Sequence, residues 1–298
     1  MLAIFGPTGS GKSAVGEALA RRIPAEIVSA DSMQVYRGLP ILTNQPDTAT
    51  RLVGIWSLEE EASVAEYGRL AHQAIDDVLA ARRTPIVVGG TGLYLRSALA
   101  DLALPPPPRP GSRERYERLY GRVGAARVHE LLALRDAAAA ERVHPNDRRR
   151  VVRALELAEQ GFSLRPSRDR LWASSARHPT LVVGLDLPTG ELDRRIEERT
   201  RAMFDRGVEA EVALALKREL STTARQVIGL TEVAELPRDQ AIEAIVVRTR
   251  RYAAYQRKWV RRIPGLVSVT ADRSPDATAD EILEMARARQ RLPADRAG

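Results

Sequence analysis

The strongest constraint on this chain stands at its beginning. An apolar run, LAIF (2–5), leads directly into GPTGSGKS (6–13), which fits the pattern G-x-x-x-x-G-K-[ST]. A strand that ends in such a turn and is followed by a helix aims several backbone N–H groups inward, with the positive end of the helix behind them. That is a cradle for phosphate. Gly6, Pro7, Thr8, Gly9, Ser10, Gly11, Lys12 and Ser13 are therefore expected to hold phosphate groups. Lys12 supplies a full charge, and the Ser13 hydroxyl is the expected protein ligand of a magnesium ion (Mg2+). Only Lys12, Lys217 and Lys258 are lysines in a chain with 46 Lys and Arg residues, and one of them stands where a compact charge suits the loop. The loop does not read what hangs on the phosphates, so ATP, GTP or an organic diphosphate would fit it equally.

The pattern that follows predicts a parallel α/β core. EIVSAD (26–31) reads as a second strand ending in an acid. Residues 63–83 place Val64, Tyr67, Leu70, Ala71, Ala74, Ile75, Val78 and Leu79 at helical spacing, and PIVVGGTG (85–92) reads as a strand running into a glycine turn. In parallel sheets of alternating strands and helices, ligands sit at the carboxyl ends of the strands. The phosphate loop, Asp31 and Thr91 all fall at such ends. LALPPPPRPGS (102–112) suits neither helix nor central strand and reads as a stiff connector. From 113 to about 177 the pattern is helical, TLVVGLDL (180–187) returns to strand, and helices are expected over 190–220, 239–262 and 279–291. The expected organisation is a P-loop NTPase-like α/β core with a parallel sheet, interrupted by a helical insertion domain: core at 1–104, insertion at 105–178, and return to the core with C-terminal helices at 179–298.

Composition narrows the chemistry. The absence of cysteine excludes disulfides, thiolate metal sites and a cysteine nucleophile, and the four histidines show no ligand-like pairing. No stretch approaches the ~18–20 apolar residues of a membrane span. A strand beginning at the first residue leaves no room for a leader, so a cytoplasmic protein with no membrane partner is expected. The net charge of +7 suits a polyanionic partner, although the bias toward Arg and Ala also fits genome base composition. Asp31 has three local readings: a magnesium-holding acid, a general base beside the phosphates, or a cap on a following helix. Asp186, ending VVGLD, is a rival for the metal role. At this level a P-loop kinase or ATPase stays open.

Several separated blocks together resemble the tRNA dimethylallyltransferases, also called isopentenyl-tRNA transferases. They are GPTGSGKS (6–13), SADSMQVYRGL (29–39), PIVVGGTGLYL (85–95), VHPNDRRRVVRALEL (143–157), RRIEERTRAMFDRGVEAEV (194–212), RQVIG (225–229) and TRRYAAYQRKW (249–259). The resemblance implies that the loop holds the diphosphate of dimethylallyl diphosphate, a leaving group and not an energy source. The exocyclic amine of an adenosine beside the tRNA anticodon attacks the allylic carbon, helped by Mg2+. It further implies Asp31 as base, Arg225 on the diphosphate, and Thr91 near the reacting base. Asp31, Ser32, Met33 and Gln34 would contact the target nucleotide. Arg149, Arg150, Val151, Val152 and Arg153 match a tRNA-contacting helix, and Arg113 a further tRNA contact. A monomer is expected. A relative that prenylates free adenine nucleotide is the main competing reading, and the basic helix inside the insertion argues against it.

Four stretches depart from the family pattern. LTNQP (42–46) stands for a GTAKP-like run and LVGIWSL (52–58) for a segment containing HHL. Gly229-Leu230 stands for GY, and AAYQ (253–256) for AKRQ. The phosphate loop, Asp31 and the HPND helix are untouched by them.

Overall fold

In the computed structural model, which describes residues 1–102, 104, 106–164 and 176–291, short aliphatic runs pair into one sheet. The strands are β1 (Leu2–Phe5), β2 (Ala25–Ser29), β3 (Thr50–Arg51), β4 (Thr84–Gly89), β5 (Leu181–Asp186) and β6 (Val267–Thr270). Their order is β3-β2-β4-β1-β5-β6 and every pair is parallel. Ile4 stands opposite Val88 on one side and Val183 on the other. Ile4, Val28, Val87 and Val183 are fully buried. Helices cover both faces of such a sheet, which is why its central strands are apolar without alternation.

The helices are α1 (Lys12–Arg22), α2 (Val64–Ala80), α3 (Gly92–Leu99), α4 (Ser112–Arg135), α5 (Ala137–Ala140), α6 (Arg148–Ala158), α7 (Thr189–Asp205), α8 (Val208–Ala215), α9 (Leu230–Glu235), α10 (Arg238–Val260) and α11 (Pro275–Arg291). Among the described residues no helix is long and apolar enough to cross a membrane. The 63–83 pattern becomes α2, capped by the Ser63 hydroxyl, with Tyr67, Ala71, Ala74, Ile75 and Val78 inward and Leu79 left exposed. The helix expected over 190–220 is broken at Gly207, whose φ of 88° belongs to the left-handed region. β3, two residues long, and β6, four residues that alternate apolar and polar, were not among the expected strands.

The chain forms two compact units, one of Met1–Asp101 with the described residues from 176 onward, the other beginning at Leu102. Both edges differ from the expected 105–178. Arg177 and His178 belong to the sheet-bearing unit because each bonds Asp76 on α2, at 2.9 and 3.0 Å, and the Arg177 N–H donates to Leu99 O. The part of the helical expectation at 165–175 lies outside the described residues.

The smaller unit packs α4 against α6 around Tyr116, Val128, Leu132, Val151, Val152 and Leu155. Asp147 caps α6 by accepting from the Arg150 N–H at 3.1 Å. Val151 and Val152 are 0% and 3% exposed, which corrects their assignment to a tRNA surface: their side chains are core. Glu156, also 0% exposed, sits between Arg113 Nε and Arg153 Nη1, each at 3.0 Å. Both of those arginines therefore compensate a buried carboxylate, and of the expected stripe Arg149 and Arg150 remain exposed.

Candidate active site

The phosphate loop leaves β1 at the centre of the sheet and enters α1. Gly9 and Gly11 take φ values of 84° and 85°, where a side chain would be strained. α1 has no side-chain cap and no acid in its first turn, so its N-terminal N–H groups are left for an anion. The loop is braced from two directions. Gln256 on α10, 2% exposed, accepts the Thr8 N–H at 2.8 Å and donates to Gly90 O at 2.8 Å. On the other side Leu192 and Ile196 of α7 pack on Gly9 so closely that a Cβ there would meet them at 3.2 and 3.4 Å.

A cavity of about 490 Å³ opens in front of the loop at the carboxyl ends of the strands. Thr8, Gly9, Gly11, Lys12 and Ser13 line one side, and Asp31, Met33 and Gln34, following β2, line another. Arg195, Arg199 and Arg206 enter from α7 and the turn after it, and Leu42, Met203, Ile228 and Ile245 supply an apolar wall. Lys12 bonds Pro7 O at 2.8 Å. Burial pulls Lys12 down to about 8; Asp31 opposes that shift and Arg199 adds to it. Arg199 is likewise lowered by burial, with Asp31 opposing. Lys12, Arg195, Arg199 and Arg206 thus bring four cations to a cavity that Glu17, Asp31 and Asp47 line with carboxylates, an excess of positive charge suited to a polyanion.

Asp31 does not cap a helix, because none follows it. Its Oδ1 accepts the Met33 N–H at 2.9 Å, an Asx turn that fixes the carboxylate toward the cavity. Asp186 does not line the cavity. Its side chain is 68% exposed, accepts the Leu187 N–H at 3.0 Å, and lies 3.8 Å from Arg257. The Thr91 hydroxyl ties Ser32 Oγ, at 3.1 Å, to the Tyr252 hydroxyl, also at 3.1 Å. Tyr252 lines the cavity and was not foreseen. Burial, with Asp31 next in effect, pushes it up to about 12, so it stays a donor. Its only signal in the sequence was its place within TRRYAAYQRKW.

The structure leaves Gln34 in the cavity lining and places Arg225 outside it. Gln34 is committed within the protein: its oxygen accepts from Ser29 Oγ at 2.9 Å and its nitrogen donates to Asn44 O at 2.8 Å. The oxygen keeps a second lone pair, and Gln34 lines the cavity. Arg225 is exposed, donates from Nε to Leu220 O at 3.2 Å and does not line the cavity. The LTNQP run forms the cavity wall opposite the loop. Glu211 on α8 holds it there by accepting the Ile41 and Leu42 N–H groups, both at 2.8 Å. Arg113 and Arg149–Arg153 belong to the other unit.

Comparison with known proteins agrees with this layout. The IPP transferase family matches residues 34–263, and the isopentenyl transferase family matches residues 1–53. A tRNA dimethylallyltransferase of Nocardia farcinica is 40% identical over 277 residues, covering 88% of each chain. One from Anaeromyxobacter dehalogenans is 40% identical over 300 residues, covering 95% of this chain and 97% of its own. The crystal structure of a tRNA isopentenylpyrophosphate transferase from Bacillus halodurans superimposes with a TM-score of 0.69 at 28% identity, covering 97% of this chain and 95% of that one. A eukaryotic dimethylallyltransferase acting on tRNA shares the fold, with a TM-score of 0.79 at 24% identity over 100% of this chain and 81% of that one. Through the phosphate cradle, the acid beside it and relatives matched along most of its length, this chain belongs to the IPP transferase family.

Proposed function

We infer that this protein is a tRNA dimethylallyltransferase. It moves the dimethylallyl group from dimethylallyl diphosphate to N6 of the adenosine next to the anticodon and releases diphosphate. The observation that carries this reading is the sharing of one cavity by a phosphate cradle, an ordered carboxylate and an apolar wall. The loop N–H groups and Lys12 would grip the diphosphate, and Leu42, Met203, Ile228 and Ile245 offer the isoprenoid an apolar surface. The bond from N6 to the allylic carbon forms as the bond from that carbon to the diphosphate oxygen breaks. The amine proton passes to Asp31, which offsets the weak nucleophilicity of a delocalised lone pair. Negative charge grows on the leaving group, where preorganised donors stabilise it most.

Ser13 and Asp31 both present oxygen to the cavity, and among the described residues no group of three or more His, Cys, Asp or Glu could hold a metal. That donor set fits Mg2+, which keeps several waters and binds through one or two protein oxygens plus substrate phosphates. Ser13 would hold it, and the ion would supply charge neutralisation at the diphosphate. The target base must leave its stack to reach the cavity. Arg149 and Arg150 are exposed cations of the HPND helix that would meet the tRNA backbone, and the protein would act in the cytoplasm as a monomer. Incubation with labelled dimethylallyl diphosphate tests the reading. Label should enter an anticodon stem-loop and not AMP. Label in AMP, or ATP hydrolysis that needs no prenyl donor, refutes it.

A further inference from the structure

Leu42 belongs to a wall that has no room to yield. It is 5% exposed and still lines the cavity, with Ile245 and Met203, which are 1% and 4% exposed. A Cβ built on Gly229 would lie 2.6 Å from Leu42 Cδ1 and 3.4 Å from Ile245 Cδ1. The two side chains therefore close over the bare glycine and fill the space behind the wall. The backbone that carries Leu42 is pinned as firmly. The two oxygens of Glu211 hold the Ile41 and Leu42 N–H groups, each at 2.8 Å. Thr43 Oγ1 donates to Leu39 O at 2.7 Å, and Asn44 O accepts from Gln34 at 2.8 Å. Two of the departures from the family pattern meet here. Leu42 opens the run LTNQP where the pattern has a glycine, and Leu230 follows Gly229 where it has a tyrosine.

We propose that Leu42 sets the length of the prenyl chain that this cavity accepts and limits the donor to five carbons. This rests on the reading of the cavity as a prenyl-diphosphate site. Leu42 stands on the wall opposite the phosphate loop, so a donor anchored by its diphosphate points its hydrocarbon at that wall. A dimethylallyl tail ends against Leu42, and a second isoprene unit needs the space that Leu42 fills. A branched side chain on a pinned backbone cannot move aside without forcing its neighbours out of place. Met203, unbranched and adaptable, could give way, so it does not set the limit.

The test is calorimetric titration of the full chain with inorganic pyrophosphate, dimethylallyl diphosphate and geranyl diphosphate, with no tRNA present. Wild type should bind the five-carbon donor about tenfold or more above either of the other two, the scale on which an apolar pocket discriminates. Leu42→Ala should bring the two prenyl diphosphates within about threefold of each other, because the room for a second isoprene unit is then open. Leu42→Val removes only one methylene and serves if the alanine variant does not fold. It should move the ratio in the same direction by less. A role in stability alone would lower the affinity for all three ligands together and leave the ratio where it was. Wild-type protein that binds both prenyl diphosphates alike overturns the proposal, as does a ratio unchanged in both variants. Wild-type protein that binds dimethylallyl diphosphate no better than pyrophosphate overturns both the proposal and the reading of the cavity. A ratio that shifts as expected in a protein that labels no tRNA leaves the role of Leu42 standing and refutes the transferase reading.

Discussion

Gln256 is the most informative single position outside the cavity. Gln256→Leu keeps the side-chain volume and the helix propensity, so α10 itself is undisturbed. What it removes is one acceptor and one donor, each 2.8 Å from a backbone group in a place 2% exposed. The Thr8 N–H and Gly90 O are then left without partners. At about 1–3 kcal/mol for each unsatisfied buried group, and with some relaxation of the loop, the expected loss is about 3 kcal/mol. That corresponds to a fall of roughly 6–12 °C in the midpoint of thermal unfolding. Pyrophosphate affinity should fall about tenfold, because Thr8 no longer holds its part of the loop in register. Gln256→Glu sharpens the test. The new carboxyl still accepts from Thr8, but once ionised it has no proton for Gly90 O. Its deficit should be small at pH 5 and grow toward pH 8, since stability from a group protonated in the folded state is lost as pH rises through its folded pKa. A Gln256→Leu protein within about 0.5 kcal/mol of wild type, below the ordinary effect of a surface change, would refute the bracing argument. A Gln256→Glu deficit independent of pH would refute it too.

Four further outcomes are expected. Asp31→Asn preserves the oxygen that accepts from Met33 N–H, so pyrophosphate binding should persist while single-turnover prenyl transfer falls by about 100-fold or more; transfer within about tenfold of wild type removes Asp31 as the base. Lys12 titrates near 8 in the free protein, and its charge is lost as pH rises through that value. The ratio of pyrophosphate affinities between wild type and Lys12→Met should therefore shrink from pH 7 to 9.5, a comparison in which the ligand's own titration cancels. Arg149→Ala should reduce the slope of log tRNA affinity against log salt by about 1 without changing stability. Arg153→Ala should instead cost about 2 kcal/mol of stability, because it strips one partner from buried Glu156 and one from Pro106 O.

The legible part of the site was local. The glycines, Lys12 and Ser13 act through a turn whose geometry follows from neighbours in sequence, and Asp31 and Thr91 were placed by the ends of the strands that precede them. Roles that depend on a side chain's direction across the fold were not legible. Arg225 and Arg199 are both arginines on helical segments, and nothing in their neighbourhoods tells which one faces the cavity. The basic stripe of the HPND helix divided in the same way: Arg153, with Arg113 of α4, turned to Glu156, and Val151 and Val152 went to the core.

By itself, the amino-acid sequence determined a parallel α/β core, a phosphate cradle at its centre and an acid at the end of the second strand. Apolar runs and glycine turns act over a few residues, and their consequences need no distant partner. Only the tertiary structure decided that Gln256, 248 residues away, braces Thr8, that Tyr252 and Thr91 join behind Asp31, and that α7 carries Arg199 into the cavity. Each of those depends on which helix packs over which strand end. That choice is made by burial of whole faces and leaves almost no trace in any short stretch of chain.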